Sequence, residues 1–309
     1  MRPLFDSFEK FLSQQAAGFV PEIRDVAGET IILKGKYIRP TLVFASSGEN
    51  APTPDVVRRA AIVELIHLST LVHDDVIDNA QMRRNAVTAN SKYGARTAIL
   101  LGDMLFAHTM SLAFGDPDRT VPDCVAKCVR TICEGEIRQT LSDRLEILSR
   151  GRYYEMVYGK TAALFELSCR LGATAGTSPK GWASAAAYAG MQLGIAYQIF
   201  DDYCDWFMSE SEAGKTLGTD LVSGKQTFPL IVYMEGLSRE SAAEFAKNLS
   251  ASDFEAVRNS IACERVLSGC RAEYLSRIDA AEKAIVGFGE LSATLVKCCE
   301  VLRGLDFSV

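Results

Sequence analysis

Apolar residues recur at helical spacing along most of this chain. Between 54 and 79 they follow a period of three to four residues, and Pro54 and Asp55 stand where the first turn of a helix would begin. The same period predicts further helices over 91–114, 120–149, 152–174, 180–208 and 263–304. Alternating polar and apolar patterns bounded by turn residues, which would indicate strands, are missing. The chain is therefore predicted to be all-α.

Two of the predicted helices, 54–79 and 180–208, are apolar on nearly all sides until they approach their C-terminal ends. Helices of that kind lie in the middle of a bundle, because they have no polar face to turn toward water. Residues that favour loops cluster near 48–54, 115–122, 175–181 and 209–225. None of these clusters resembles an interdomain linker, so residues 1–309 are predicted to form a single domain.

The C-terminal ends of those two helices carry the same acidic pattern, DDxxD. The aspartates are Asp74, Asp75 and Asp78 in the first helix and Asp201, Asp202 and Asp205 in the second. Carboxylates this close on a helix repel one another unless a cation lies among them. One such cluster could be a solvated acidic surface, but two of them, each after a long apolar run, predict a metal site. Oxygen ligands without paired His or Cys favour Mg²⁺, which usually completes its coordination with substrate phosphates.

Lysines and arginines that could bind phosphate stand near glycines and near the first acidic cluster. They are Lys36, Arg39, Arg83, Arg84, Lys160, Lys215 and Lys225. Guanidinium groups bind phosphate oxygens in a bidentate fork, lysines add a point charge, and adjacent glycines let the backbone approach a phosphate closely. Singly, each would be an ordinary surface residue. Together they predict a site for a phosphorylated substrate.

His67 lies seven residues, two helical turns, before Asp74 and so faces the same side of the helix. With Glu64 it forms an ExxH pair, half of the signature of a carboxylate-bridged di-iron bundle. That fold needs a second ExxH, and neither His73 nor His108 has a glutamate three residues earlier. The di-iron hypothesis is therefore excluded. For His67 itself, a core role and a ligand-binding role both stay open.

Composition narrows the class of protein further. The net charge of −6 argues against a nucleic-acid-binding protein, and 48% hydrophobic with 23% charged residues is ordinary for a soluble enzyme. The first residues contain no apolar signal-peptide core, and no membrane span is expected. The nine scattered cysteines indicate reduced, mostly buried thiols. Together these features predict a cytoplasmic protein.

Taken in order, the motifs resemble those of the polyprenyl synthetase family, the trans-isoprenyl diphosphate synthases. The match extends from about Lys34 to Pro229 and comprises GKYIRP, His67, the first DDxxD, the Arg83–Arg84 pair, GKT, QxxDDxxD and GKTLGTDLVSGKQTFP. The resemblance implies a bundle of antiparallel helices around a deep central active-site cavity, working as a homodimer. Departures from the family pattern are Lys34 and Asn85, where glycine is usual, and Tyr37, where arginine is usual.

The resemblance also implies a role for each candidate residue. It implies that Mg²⁺ is held by Asp74, Asp75, Asp78 and Asp201, with Asp202 and Asp205 completing the second motif in supporting roles. It assigns the allylic diphosphate to Arg83, Lys160, Lys215 and Lys225, and isopentenyl diphosphate to Lys36, Arg39, His67 and Arg84. The implied catalytic residues are Lys160, Lys215, Thr161 and Gln198, the last two stabilising a developing carbocation.

The activity that the family implies is a trans-prenyltransferase reaction, in which isopentenyl diphosphate condenses with an allylic diphosphate primer after Mg²⁺-assisted ionisation. Ser69 and Thr70, five and four residues before Asp74, are small where short-chain enzymes of the family commonly place an aromatic residue. A medium- to long-chain polyprenyl diphosphate is therefore expected. Candidates for the cavity floor are Ile66, Phe106 and Met110.

Three alternatives stand beside this expectation. A short-chain geranylgeranyl or farnesyl diphosphate synthase would share the same motifs. A terpene cyclase would have no use for a second diphosphate site. A non-catalytic regulatory subunit of a prenyltransferase heteromer would be expected to lose one aspartate cluster, and both are intact here.

Overall fold

The structure is a computed structural model that describes residues 1–32, 35–48, 53–83, 86–141, 148–208, 226–249 and 253–307. The described residues form two compact units. The first comprises Met1–Arg130, Leu164–Gly190 and Ile285–Leu295, and the second comprises Thr131–Ala163, Met191–Ala284 and Val296–Val309. The single domain expected from the sequence stays a prediction.

The first unit is built from helices and one short hairpin. Its elements, in chain order, are α1 (Arg2–Ala17), α2 (Pro21–Ile32), α3 (Ile38–Ser47), α4 (Pro54–Ile77), the strands β1 (Met82–Arg83) and β2 (Ala86–Val87), α5 (Ala89–Tyr93), α6 (Ala95–Phe114), the first half of α7 (Val121–Leu141), most of α9 (Ala163–Ala173) and the start of α10 (Trp182–Phe207). The hairpin pairs Met82 with Val87 and Arg83 with Ala86.

Helix α4 is the centre of this unit and packs against α1, α3 and α6. Near its start, Arg59 is only 2% exposed, and its guanidinium group donates to both carboxylate oxygens of Asp116 at 2.8 and 2.9 Å. The same group donates to the carbonyl of Leu171 and the hydroxyl of Thr174, each at 3.0 Å. Because every buried charge here has a partner, the N-terminal half of α4 is held in place by a satisfied ion pair.

The second unit contains the remaining helices. They are the rest of α7 and α10, α8 (Arg150–Val157), a π-helical turn (Tyr158–Ala162), α11 (Phe228–Met234), α12 (Arg239–Asn248), α13 (Phe254–Ile261), α14 (Glu264–Ile285) and most of α15 (Ala293–Arg303). A 3₁₀ segment, Val286–Ser292, precedes α15. In the core of this unit, Trp206 stacks on Phe254 with ring centroids 5.0 Å apart and donates to the hydroxyl of Thr227 at 2.7 Å.

The all-α class is confirmed, since the regular structure of the described residues is helical except for one hairpin of two two-residue strands. The predicted segment 91–114 is divided at Gly94, and 263–304 is divided at Gly289, both glycines having a positive φ that ends a regular helix. Helix α7 is described as far as Leu141, and residues 142–147 of the predicted segment 120–149 lie outside the described residues. Helices α1 to α3 and α11 to α13 were not predicted from the pattern.

One described helix, α6, is long and apolar enough to cross a membrane by length and composition alone, with a hydropathy of 1.4. A core helix of a soluble protein passes the same test, although only 33% of its apolar window is buried. Ile99, Leu100 and Phe114 are among its exposed side chains, and the charged Arg96 and Asp103 are exposed beside them. Large exposed apolar side chains on one helix are a feature of some interaction surfaces.

Candidate active site

Helix α4 has half-buried and exposed side chains in its C-terminal half. Every residue from Arg59 to Ile66 is buried, whereas beyond Ile66 the half-buried or exposed positions include His67, Thr70, Leu71, Asp74 and Asp78. Each of these five lies three or four residues from another of them, so they share one face of the helix, and the last turn of α4 is half-buried or exposed on other sides as well. The structure thus places the predicted His67, Thr70, Asp74 and Asp78 on the same accessible face.

Asp75 does not belong to that face. It is buried, and its carboxylate accepts a hydrogen bond from Nε of Arg83 at 2.7 Å. Asn79, in the left-handed conformation with φ 50°, ends α4 and turns the chain into the hairpin that carries Arg83. Burial raises the pKa of Asp75, although Arg83 opposes the shift. The role of Asp75 in this structure is therefore to hold Arg83.

Ser69 and Thr70, the residues expected to influence product length, have different surroundings. Ser69 is buried, and its hydroxyl donates to the carbonyl of Gly102 in α6 at 2.9 Å. Helices α4 and α6 are in close contact at this point, as shown by the clash that a Cβ on Gly102 would make with the ring of His73. Thr70 is half-buried, and its hydroxyl donates to the carbonyl of His67 at 2.8 Å within the same helix. Thr70 is the more accessible of the two.

The three candidate floor residues also differ in burial. Ile66 is 1% exposed, so it belongs to the core at the point where the accessible stripe of α4 begins. Phe106 and Met110, both in α6, are half-buried.

The GKYIRP segment has an unusual backbone conformation. Tyr37, the residue before α3, has φ 47°, a left-handed conformation that is uncommon outside glycine and is frequent at functional sites. Its ring is held against Phe8, with centroids 5.2 Å apart. Lys36 on one side is exposed, and Arg39 on the other is half-buried, its guanidinium carbon 5.3 Å from the ring centroid of Phe165. The turn therefore presents two cations of different mobility.

The GKT motif lies in the π-helical turn between α8 and α9. Such turns occur mostly as single insertions in α-helices and frequently at functional sites. Here the turn leaves Lys160 exposed and Thr161 buried. A Cβ on Gly159 would lie 3.0 Å from the Cα of Gly135 in α7, so the two backbones are in direct contact. In this structure Gly159 permits a close approach to another backbone segment, and the approach to a phosphate stays a prediction.

A hydrogen-bonded chain connects Thr161 to the second acidic cluster. The Thr161 hydroxyl donates to Oε1 of Gln198 at 2.7 Å, and Nε2 of Gln198 donates to Oδ1 of Asp202 at 2.8 Å. The other oxygen of Asp202 accepts from the hydroxyl of Tyr153 at 2.7 Å and from the backbone amide of Phe228 at 2.9 Å. Burial and the carboxylate of Asp202 raise the pKa of Tyr153 well above its ordinary value, so its hydroxyl stays a donor.

The second cluster presents its carboxylates unequally. Asp201 is half-buried, whereas Asp202 is 4% exposed and Asp205 is fully buried. A small pocket of about 40 Å³ adjoins the cluster and is lined in part by Lys160, Gln198 and Asp202. The structure therefore brings together Lys160, Thr161, Gln198 and Asp202.

Three predicted residues, Arg84, Lys215 and Lys225, lie outside the described residues. Among the residues that the structure describes, no group of three or more His, Cys, Asp or Glu side chains is assembled to hold a metal ion. The described carboxylates do not form a complete metal site by themselves.

Sequence reasoning missed Tyr153 and Gly135. Tyr153 stands seven residues before Lys160, a spacing of two helical turns, and it is a polar group on the buried face of α8. That combination could have marked it as a residue with a buried partner. Gly135 lies in the interior of a helix, where glycine is unfavourable by roughly 0.5–1 kcal/mol unless a close approach requires it.

The chain is similar in sequence to several known proteins. The polyprenyl synthetase family matches residues 20–265. A short chain isoprenyl diphosphate synthase of Methanothermobacter thermautotrophicus is 32% identical over 277 residues, 84% of each chain. The octaprenyl diphosphate synthase of Escherichia coli is 34% identical over 210 residues, which cover 67% of this chain and 65% of that protein.

A solved structure adds a likeness in fold. The polyprenyl synthase of Caulobacter crescentus, in complex with calcium and isoprenyl diphosphate, superposes with a TM-score of 0.86 at 27% identity, covering 98% of this chain and 94% of that one. The fold is therefore that of the all-α isoprenoid synthases. With the family match over most of its length, the chain belongs to the polyprenyl synthetase family and is a trans-prenyltransferase.

Proposed function

We propose that this prenyltransferase condenses isopentenyl diphosphate with an allylic diphosphate to make a medium- to long-chain polyprenyl diphosphate. The proposal is supported chiefly by the way in which burial changes along α4. The helix is buried on all sides over two turns and then opens along one face that ends in Asp74 and Asp78. Such a face offers carboxylates at one end and small or apolar side chains deeper along the helix.

The donor set fits Mg²⁺. Asp74 and Asp78 in the first unit, and Asp201 in the second, each offer only oxygen ligands, which suit a hard cation. An incomplete protein ligand set is also what Mg²⁺ tolerates, because it keeps waters and takes oxygens from substrate phosphates. When bound, the ion would neutralise the charge that develops on the departing diphosphate. Calcium in the Caulobacter crescentus protein supports a divalent cation in such a site.

The described cations would bind the allylic diphosphate. Arg83 is held by Asp75 through its Nε, so the two terminal nitrogens of its guanidinium group stay available for phosphate oxygens. Lys160 is exposed at the π-helical turn next to Thr161. The hydroxyl oxygen of Thr161, whose proton is directed to Gln198, would stabilise the cation that forms on ionisation.

Lys36 and Arg39 would bind isopentenyl diphosphate. The left-handed turn at Tyr37 fixes the backbone between them, and the ring of Phe165 supports the guanidinium group of Arg39. A fixed guanidinium group and a mobile ammonium group together suit a diphosphate, which has several oxygens to satisfy.

The product length is the least constrained part of the proposal. Thr70 on the accessible stripe leaves more space than an aromatic residue would, and the likeness to an octaprenyl diphosphate synthase supports a longer product. The likeness to a short chain isoprenyl diphosphate synthase, over 84% of this chain, favours the alternative of a geranylgeranyl or farnesyl product.

We also propose that two copies of the chain associate. The support is the apolar surface of α6, where Leu100 is 59% and Phe114 is 64% exposed. Burying such side chains stabilises an interface by about 25 cal/mol for each Å² removed from water. A homodimer would cover this surface and give α6 the burial that its apolar composition requires.

The proposal is tested by incubating the purified chain with farnesyl and isopentenyl diphosphates and Mg²⁺ and measuring product masses. Excess EDTA should abolish turnover, and added Mg²⁺ should restore it. Lys36→Ala should chiefly raise the KM for isopentenyl diphosphate, with exposed Lys180→Ala as the control. Asp74→Ala should lower kcat by about 10²-fold or more, because the metal acts mainly in the ionising transition state.

Two results would contradict the proposal. Turnover that persists in excess EDTA would exclude the metal-dependent mechanism. A folded chain without activity on any allylic primer, active only after a partner subunit is added, would favour the regulatory alternative. If Lys36→Ala weakened only the allylic substrate, the assignment of the two diphosphate sites would be reversed.

A further inference from the structure

The second aspartate of the second cluster has a hydrogen-bonding environment that differs from that of a metal ligand. Asp202 is 4% exposed, and its two oxygens accept from Gln198, Tyr153 and the backbone amide of Phe228 at 2.7–2.9 Å. A carboxylate that already accepts three hydrogen bonds would have to release donors in order to bind a cation. Breaking such buried, charge-assisted bonds is unfavourable.

The hydrogen bonds from Thr161 to Gln198 and from Gln198 to Asp202 all run in the same direction, from donor to acceptor. A carboxylate only accepts, so Asp202 requires the amide nitrogen of Gln198 on its side and leaves the amide oxygen facing Thr161. The hydroxyl of Thr161 must then donate to that oxygen, at 2.7 Å. With its proton committed to Gln198, the Thr161 oxygen presents its lone pairs to the remaining space around it. Hydrogen bonds in series polarise one another, which makes that oxygen more negative.

Tyr153 holds the carboxylate of Asp202, at which this series of hydrogen bonds ends. Its side chain is fully buried, its ring centroid lies 5.2 Å from that of Phe228, and its hydroxyl donates to the same Asp202 oxygen as the Phe228 amide. Two donors on one oxygen hold the plane of the carboxylate, so the other oxygen stays directed at Gln198. Without the hydroxyl, this oxygen would lose one of the two described donors and the carboxylate would be held less firmly.

We infer that Tyr153 and Asp202 are positioning residues that set the direction of the hydrogen bonds through Gln198 to Thr161, so that Thr161 offers lone pairs to the allylic cation. The inference rests on the proposed function, since it assigns Thr161 a role in stabilising that cation. It places Asp202 outside the set of metal ligands and adds Tyr153 to the residues on which the rate depends.

The test compares two nearly isosteric variants with a control. Tyr153→Phe removes one donor, and Asp202→Asn exchanges an acceptor for a donor and so requires Gln198 to turn its amide around. Thr161 would then accept from Gln198 and lose the lone pair that faces the cation. We expect kcat to fall about tenfold in Tyr153→Phe and about 100-fold in Asp202→Asn, with both KM values within about twofold of wild type. The control is Tyr154→Phe, which keeps the ring that packs on Tyr153 and Phe228 and removes only a hydroxyl that bonds to Glu273 instead of Asp202.

Two further measurements separate positioning from metal binding and from a general loss of structure. The affinity for Mg²⁺ in the presence of inorganic diphosphate, measured by calorimetry, should stay within about twofold of wild type in Asp202→Asn. In a double-mutant cycle, Thr161→Val and Tyr153→Phe together should lower kcat no more than Thr161→Val alone, because Tyr153 acts through Thr161. If the two substitutions instead acted independently on the structure, their fold losses in kcat would multiply.

The outcomes distinguish this inference from the proposed function. If the wild type makes no prenyl product, the proposed function fails. If the wild type is active and Tyr153→Phe matches it, or the two substitutions lower kcat multiplicatively, only the positioning role fails. A tenfold or greater loss of Mg²⁺ affinity in Asp202→Asn would identify Asp202 as a metal ligand and overturn the inference.

Discussion

The two small residues before the first acidic cluster should respond differently to the same substitution. Thr70→Phe places a ring on the accessible stripe of α4, one helical turn or about 5.4 Å from Asp74. Its hydroxyl bonds only to a carbonyl of its own helix, and phenylalanine and threonine have similar helix propensities, so the fold should be nearly unaffected. The ring would block the growing chain. We expect a shorter product with ionisation of the primer intact.

Ser69→Phe should instead destabilise the protein. Ser69 is buried against α6, its hydroxyl bond to Gly102 would be lost, and Gly102 already allows no larger side chain beside His73. Overpacking typically costs about 1–3 kcal/mol and the lost hydrogen bond about 1 kcal/mol, so a loss of roughly 2–4 kcal/mol is expected. For a chain of this size, such a loss lowers Tm by on the order of 3–6 °C.

The assay combines product masses with thermal unfolding for both variants and for the matched control Thr70→Val, which keeps the size of the side chain. Thr70→Val should make the wild-type product. The reasoning fails if Thr70→Phe is folded and active yet makes the wild-type product, or if the wild type already stops at farnesyl diphosphate. It also fails if Ser69→Phe is as stable as wild type, because the α4–α6 contact would then have room for a ring.

Two more predictions follow from close contacts and exposed surface. Gly159→Ala should lower kcat by about tenfold, because a Cβ 3.0 Å from Gly135 would displace the turn that carries Lys160. The control Gly151→Ala, whose Cβ meets nothing closer than 3.9 Å, should match wild type. Equal rates for both variants would show that the contact between Gly159 and Gly135 is unimportant. Leu100→Lys should shift the protein from dimer to monomer in sedimentation velocity, and a wild type that is already monomeric would refute the proposed association.

The sequence alone was sufficient for the class of fold and for the family. The helical period predicted α4 and the long α10 to within a few residues, because a helix that is buried on most sides contains a long run of apolar residues. Two DDxxD clusters at the ends of these helices predicted carboxylates of shared purpose. The family match over residues 20–265 confirmed the prenyltransferase activity.

The sequence could not divide the members of each cluster by role. Periodicity gives the angle of a side chain about its own helix, but not what lies opposite that angle. Asp75 and Asp202 each occupy the second place in DDxxD, and in the structure one holds Arg83 while the other accepts from Tyr153 and Gln198. The sequence also did not show that the predicted segments 91–114 and 263–304 are each divided at a glycine with positive φ, because the apolar period continues across that glycine.

What the chain determined by itself is local: which stretches are helical, and which residue types they carry at their ends. What only the tertiary structure decided is partnership. Tyr153 and Asp202 are 49 positions apart, and Ser69 and Gly102 are 33 apart, so no spacing rule connects them. The physical reason is that a hydrogen bond depends on where two atoms lie within about 3 Å of each other, and packing sets that position across elements distant in sequence.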